Sequence, residues 1–236
     1  MYVGIKTSSG LKKDALGKIN GYWTIAILTC IIYSILTLTL FSNINNLDTI
    51  LTKYFSNVSF FDFYRTIIYK LSVFDSINTL YVRIIILLID GPLLLGLSRF
   101  FLKICRKEDA QIKDLFFAFT NFKYFINALS LSLLSILFIF LWTLLFIIPG
   151  IIAALKYSMA LYIMSDNPEI DAMDAINRSK DLMDGNKSRL FTLYLSFIGW
   201  SLLSMFTLGI AGIFVTPYFN TAHCEFYEEL ALGTFK

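Results

Sequence analysis

The chain has 236 residues, of which 57% are hydrophobic, 17% aromatic and only 16% charged, and its mean hydropathy is +0.68. These values exclude an ordinary water-soluble domain and place the chain in a bilayer. The net charge of +3 is read as a topology signal and gives no support to nucleic-acid binding.

In chain order, the first predicted element is a short amphipathic helix from about Ser9, with Leu11, Ala15, Leu16 and Ile19 on one face and a stop at Asn20-Gly21. The apolar run Tyr22 to Phe41 follows; it is too long for a secretory signal core, lacks a small-x-small cleavage site, and is expected to remain as a span. Ser42 to Thr79 is an aromatic connection in which Phe60, Tyr64, Ile67, Ile68 and Leu71 form a helical stripe. It is expected to lie on the outer leaflet over the mouth of the bundle.

The next span is Leu80 to Leu102, followed by a second amphipathic segment, Asp109 to Thr120. There Ile112, Leu115, Phe116 and Phe119 share a face, Asp109 is the predicted N-cap and Asn121 the stop. Two further runs are Tyr124 to Ile148 and Pro149 to Ser165. A third amphipathic helix is capped by Asn167, has Pro168 at its first position, carries the stripe Ile170, Met173, Ile176 and Met183, and ends at Gly185. The runs Leu190 to Phe206 and Gly209 to Phe226 close the series.

The expected fold is an all-α membrane protein in a single membrane domain, residues 1–236, with six transmembrane helices as three repeated hairpins. Each hairpin is preceded by an amphipathic interfacial helix, and the pseudo-repeats cover about 9–102, 109–165 and 167–229. A recurring motif supports the repeat: Gly91-Pro92 precedes Arg99-Phe100, Pro149-Gly150 precedes Lys156-Tyr157, and Pro217 precedes Glu225-Phe226. Gly91, Pro92, Pro149, Gly150 and Pro217 are read as kink positions. Lys and Arg cluster in the amino-terminal arm and in residues 103–123 and 166–189, which by the positive-inside rule puts both termini in the cytoplasm.

Arg99, Lys156 and Glu225 are read as charges near the inner surface. With Pro92 at mid-span, Arg99 lies about 10 Å from the midplane and can snorkel to the headgroups. Snorkelling is favoured over a substrate role for Arg83, Arg99 and Lys156. Asp90 has no counterpart, since the aligned residues are Ile147 and Val215. It lies about 3 Å from the midplane, where a carboxylate costs about 2.5–3.5 kcal/mol, and is too short to snorkel. It is expected either to cap a helix broken at Gly91-Pro92 or to sit protonated against a neighbouring hydroxyl; the functional alternative is a proton relay or a ligand-binding group.

The segments Ser9 to Lys13, Gly21-Tyr22-Trp23, Ile148 to Ile152, Lys156 to Met159, Asp166-Asn167-Pro168, Thr207 to Ile210, Thr216-Pro217-Tyr218 and Phe226 to Leu230 resemble a family of bacterial integral membrane proteins catalogued as domain of unknown function 975. That resemblance implies a multi-pass plasma-membrane protein and carries over no catalytic residue.

The chain contains no GxxxxGK[ST], HExxH, GxSxG or CxxC pattern, and a single histidine, His223. Cys30, Cys105 and Cys224 suit neither a disulfide framework nor a zinc site, so no metal, cofactor or catalytic residue is expected. The reading is a non-enzymatic protein that binds or moves an amphiphile, lipid or peptide. The alternative is an accessory or immunity-type subunit acting through contacts with another membrane protein.

Overall fold

A computed structural model describes residues 6–41, 77–207 and 210–234, with only the backbone of 38–41, 77–87, 205, 233 and 234. The aromatic stripe expected between residues 60 and 71, and the side chain of Arg83, lie outside the described residues. Every regular element among the described residues is helical. The chain divides into two compact units, residues 1–33 with 91–236 and residues 34–90. In the second, the Thr37 hydroxyl donates to the Ser34 carbonyl at 3.2 Å. The packing described below is that of the first unit.

Helix α1 (Ser8–Ile19) begins where Thr7 Oγ1 accepts the Gly10 N–H at 3.3 Å. It buries the expected face, Leu11, Ala15 and Ile19. Gly21, at φ 89°, supplies the left-handed residue that turns the chain by 100° into α2 (Trp23–Phe41). Helix α3 (Ile77–Arg106) runs unbroken through Pro92. The expected break at Gly91-Pro92 is therefore absent, and Asp90 is a half-buried helical residue, not an N-cap. A proline removes a single i to i−4 bond, and a helix in an apolar setting keeps the rest because open ends would cost more. Helix α3 ends at Lys107, φ 56°, with Lys107 N–H on Ile104 O at 3.0 Å and Glu108 N–H on Lys103 O at 2.8 Å. This is a Schellman pattern in which lysine takes the usual glycine position.

The second amphipathic segment is a 3₁₀ helix, Ile112–Thr120, not the α-helix expected, and Asp109 does not cap it. Asp114 explains both departures. Its Oδ2 accepts the Gln111 N–H at 2.8 Å and its Oδ1 faces Lys103 Nζ at 2.6 Å, which pins the start of the segment to α3. A side chain at Gly96 would overlap the Leu115 carbonyl, so the 3₁₀ backbone rests directly on α3.

Helix α4 (Phe122–Leu145) is capped by Asn121, whose side chain accepts the Lys123 N–H at 2.9 Å. One extended residue, Phe146 (φ −159°, ψ 151°), turns the chain into α5 (Ile147–Tyr157). Pro149 is thus the third residue of a helix that follows a turn, and no kink within a span is needed to explain it. Helix α6 (Ala160–Asp166) continues after an interruption at Ser158-Met159. The buried Ser179 bridges that gap, donating to the Lys156 carbonyl at 2.7 Å and accepting the Met159 N–H at 3.2 Å.

The third amphipathic helix, α7 (Ala172–Leu182), starts four residues later than Pro168. Asn167 to Ile170 forms a turn closed at 3.1 Å, with Pro168 at the second position that proline favours. Its exposed side also departs from the lysine-rich pattern of the first, since Asp174 and Asp181 are exposed on it beside Arg178, and Glu169, Asp171 and Asp184 are exposed at its ends. The run expected as one span from Leu190 to Phe206 is two helices, α8 (Lys187–Leu195) and α9 (Ile198–Phe206), separated at Ser196-Phe197. Helix α10 (Ile210–Thr234) passes through Pro217 without interruption.

Two stretches, Phe122–Leu145 and Ile147–Asp166, are long and apolar enough to cross a membrane, and the bent α1–α2 pair makes a third if counted as one span. In the most apolar window of α4 only 11% of residues are buried, against 50% for α5 with α6. Phe140 to Ile148 are exposed on every face, whereas Ala128, Leu131, Met159, Met164, Phe226 and Leu230 are buried. The core of this unit therefore lies away from the α4–α5 turn, and the turn end is an apolar sleeve suited to lipid.

Gly96→Ala is expected to destabilise the fold by about 1–3 kcal/mol, because neither backbone can yield to the added methyl. Gly17→Ala, at a helical site with nothing within 4 Å of the new methyl, should be neutral or stabilising by about 0.4–1 kcal/mol. Thermal unfolding of the two variants in detergent micelles reads the contrast.

Candidate functional site

The carboxyl-terminal half of α10 carries Glu225, Glu228 and Glu229, spaced i, i+3 and i+4 and so on one helical face. Each meets a cation from a different part of the chain. Glu225 has Lys18 Nζ of α1 at 3.6 Å and Lys6 Nζ at 4.0 Å. Glu228 Oε1 lies 2.7 Å from Arg106 Nη2 at the end of α3. Glu229 Oε1 lies 2.5 Å from Arg189 Nη2 of α8.

Arg106 is the most heavily used cation. Its two terminal nitrogens reach Asp166 Oδ1 and Oδ2 at 2.7 and 2.9 Å, its Nε donates to Glu228 at 2.9 Å, and the Tyr227 hydroxyl donates to the same Asp166 at 2.7 Å. A planar fork of donors between two carboxylates is a geometry lysine cannot reproduce. Helices α3, α6 and α10 are joined at that one guanidinium.

The amino-terminal arm is held as tightly. Arg189 Nη2 donates to the Lys6 carbonyl at 3.0 Å, the Lys6 N–H donates to Glu229 Oε1 at 3.4 Å, and Lys6 Nζ faces Asp14 at 2.6 Å. Burial works to lower the pKa of Lys6, but Asp14, with Glu225 and Glu229 behind it, outweighs that and leaves it raised. The part of this stability that comes from the raised pKa of Lys6 is accordingly full at neutral pH and is lost as pH rises through the raised value. Lys18 Nζ also donates to the Cys105 carbonyl, closing the carboxyl end of α3.

The three charges expected at one depth have different environments. Glu225 is 5% exposed and enclosed by protein. Arg99 stacks 3.8 Å from the Phe117 ring and reaches the Ser165 carbonyl at 3.5 Å. Lys156 ends α5 beside the gap that Ser179 bridges. Asp90 lies in the other compact unit. Gly91, Gly150 and Gly212 each face a hydroxyl side chain, of Ser132, Thr143 and Ser204 respectively, where a methyl would clash. These are close helix contacts of the small-residue kind. Pro92 and Pro217 lie within α3 and α10, and Pro149 in the first turn of α5.

His223 Nε2 is 3.1 Å from the Tyr194 hydroxyl, and its ring packs against Tyr162 and Phe219. Among the described residues no group of three His, Cys, Asp or Glu is placed to hold a metal ion. Cys30, Cys105 and Cys224 are buried free thiols.

A family model described as "Protein of unknown function (DUF975)" matches the chain over residues 1–154 and 143–232. The chain belongs to this family. No curated protein and no solved structure matches it. In this DUF975 chain the ion-paired layer is not visible in the sequence, where Lys6, Lys18, Arg106 and Arg189 read only as topology signals. The available clue was the i, i+3, i+4 spacing of the three glutamates.

Arg106→Ala should lower stability by about 1–2 kcal/mol, below the 3–5 kcal/mol of a fully buried pair because the side chain is 35% exposed. Arg106→Lys should recover only part of that loss. The thermal midpoints of both variants in micelles supply the comparison.

Proposed function

We propose that this is a bacterial plasma-membrane protein of six spans in three hairpins, each led by an interfacial helix, with both termini cytoplasmic. It binds or moves an amphiphile, lipid or peptide, and catalyses no reaction on it. The observation that carries this reading is the contrast along the α4–α5 hairpin. At one end Arg106 ties Asp166 of α6, the continuation of α5, to α3 and α10, while at the other the sleeve from Phe140 to Ile148 is open on all sides. A bundle fixed at one end and open to lipid at the other suits lateral entry of an amphiphile from the bilayer. Asp90 is the binding or relay group of this proposal.

The alternative, an accessory or immunity-type subunit, is favoured by one feature. Around α7 the exposed acids Glu169, Asp171, Asp174, Asp181 and Asp184 outnumber the exposed base Arg178, which weakens attraction to an anionic inner leaflet and suits contact with a protein instead.

Two measurements test these readings. In nanodiscs, a photoactivatable phospholipid should label residues near Asp90 as well as the α4–α5 sleeve, and Asp90→Asn should cut the first labelling at least tenfold. Uniform labelling of the lipid-facing helices, unchanged by Asp90→Asn, would sink the amphiphile site. For orientation, Phe146→Cys in whole cells should react with an impermeant maleimide, and Asp184→Cys only after permeabilisation. The reverse pattern would invert the topology.

A further inference from the structure

The three glutamates of α10 hold their cations at unequal range. Glu229 and Glu228 have nitrogens at 2.5 and 2.7 Å, whereas Glu225 has its nearest at 3.6 and 4.0 Å. Glu225 is nevertheless only 5% exposed, and its Oε1 accepts no hydrogen bond among the described residues. Both of its lysines have a nearer partner elsewhere, Lys6 in Asp14 at 2.6 Å and Lys18 in the Cys105 carbonyl. A buried carboxylate in this position bears the cost of desolvation and receives little hydrogen bonding in return.

The charged and titratable groups facing Glu225 are Lys6 on the arm, Asp14 and Lys18 on α1, and Cys105 on α3. On α10 itself Cys224, Glu228 and Glu229 adjoin it, with Arg189 of α8 against Glu229. The cluster nearest the arm balances three cations, Lys6, Lys18 and Arg189, against three anions, Asp14, Glu225 and Glu229. One added proton removes one anion and leaves a net positive charge in a largely enclosed space. The cation that gives up its carboxylate is Lys18 on α1, because Lys6 keeps Asp14 and Arg189 keeps Glu229.

We infer that Glu225 is a proton-operated latch: ionised, it holds α1 against α10 through Lys18, and neutral, it lets α1 loosen while the Arg106 and Arg189 ties stay closed. The selectivity follows from distance. Contacts of 2.5–2.9 Å with a guanidinium favour the ionised carboxylate strongly, and those at 3.6–4.0 Å do so much less.

Hydrogen exchange of the full chain in nanodiscs at pH 7.5 and 5.5, corrected for the intrinsic pH dependence of exchange, tests the latch. In the parent protein, protection of α1 should fall at least tenfold at pH 5.5 while that of α4 is unchanged. Glu225→Gln should show the low protection at both pH values. Equal α1 protection at both pH values in the parent, or a full parent-like response in Glu225→Gln, overturns the proposal. Lys18→Met serves if Glu225→Gln fails to fold. It too should be loosened and unresponsive, and a parent-like response in Lys18→Met overturns the proposal equally.

Discussion

The face of α10 that carries Glu225, Glu228 and Glu229 is where otherwise independent parts of the first unit become one body. Apolar helices in a bilayer gain little from hiding from lipid, because lipid is as apolar as they are. What holds them in a particular arrangement must therefore be shape or polar contact. Here shape is supplied by glycines pressed against neighbouring helices, and polar contact by guanidinium and ammonium groups at the end away from the α4–α5 turn. The two kinds of contact divide the work by position. Close packing operates along the helices, where a charge would be expensive, and ion pairs operate where Lys6, Arg106 and Arg189 retain some access to water.

Helical class and the approximate extent of most apolar runs could be read from hydropathy alone, since an unsatisfied backbone in lipid is prohibitive. The caps at Thr7 and Asn121 and the turn at Gly21 lie where local residue chemistry puts them. The structure departs from local rules where they meet a tertiary context. Residues 112–120 have an α-helical apolar stripe, yet Asp114 is claimed by Lys103 and the backbone at Leu115 settles on Gly96, and the segment winds as 3₁₀. Proline at 92 and 217 signals a break by propensity, but each lies in a long helix that continues on both sides. Proline at 168 was assigned to a helix and serves a turn instead.

The candidate site was legible only in outline. Glu225 stood out in the sequence as a charge at a fixed distance from a proline, which says nothing about which cations come to meet it. Its partners are separated from it by most of the chain, and no periodicity links residues that far apart. Buried Ser179 illustrates the same limit, because a serine in an amphipathic helix reads as neutral until the gap at Ser158-Met159 that it bridges is seen.

The sequence separation of these contacts also bears on biosynthesis. Glu229 accepts from Lys6 across 223 positions, so the arm leaves the ribosome long before the carboxylates that receive it. Until α10 is made, Lys6, Lys18 and Arg189 lack these acids, and α1 lacks the helix against which it packs Leu11, Ala15 and Ile19. A chain stalled before its last helix would leave those charges and that apolar face uncovered at its oldest end, so the seating of α1 waits on the synthesis of α10.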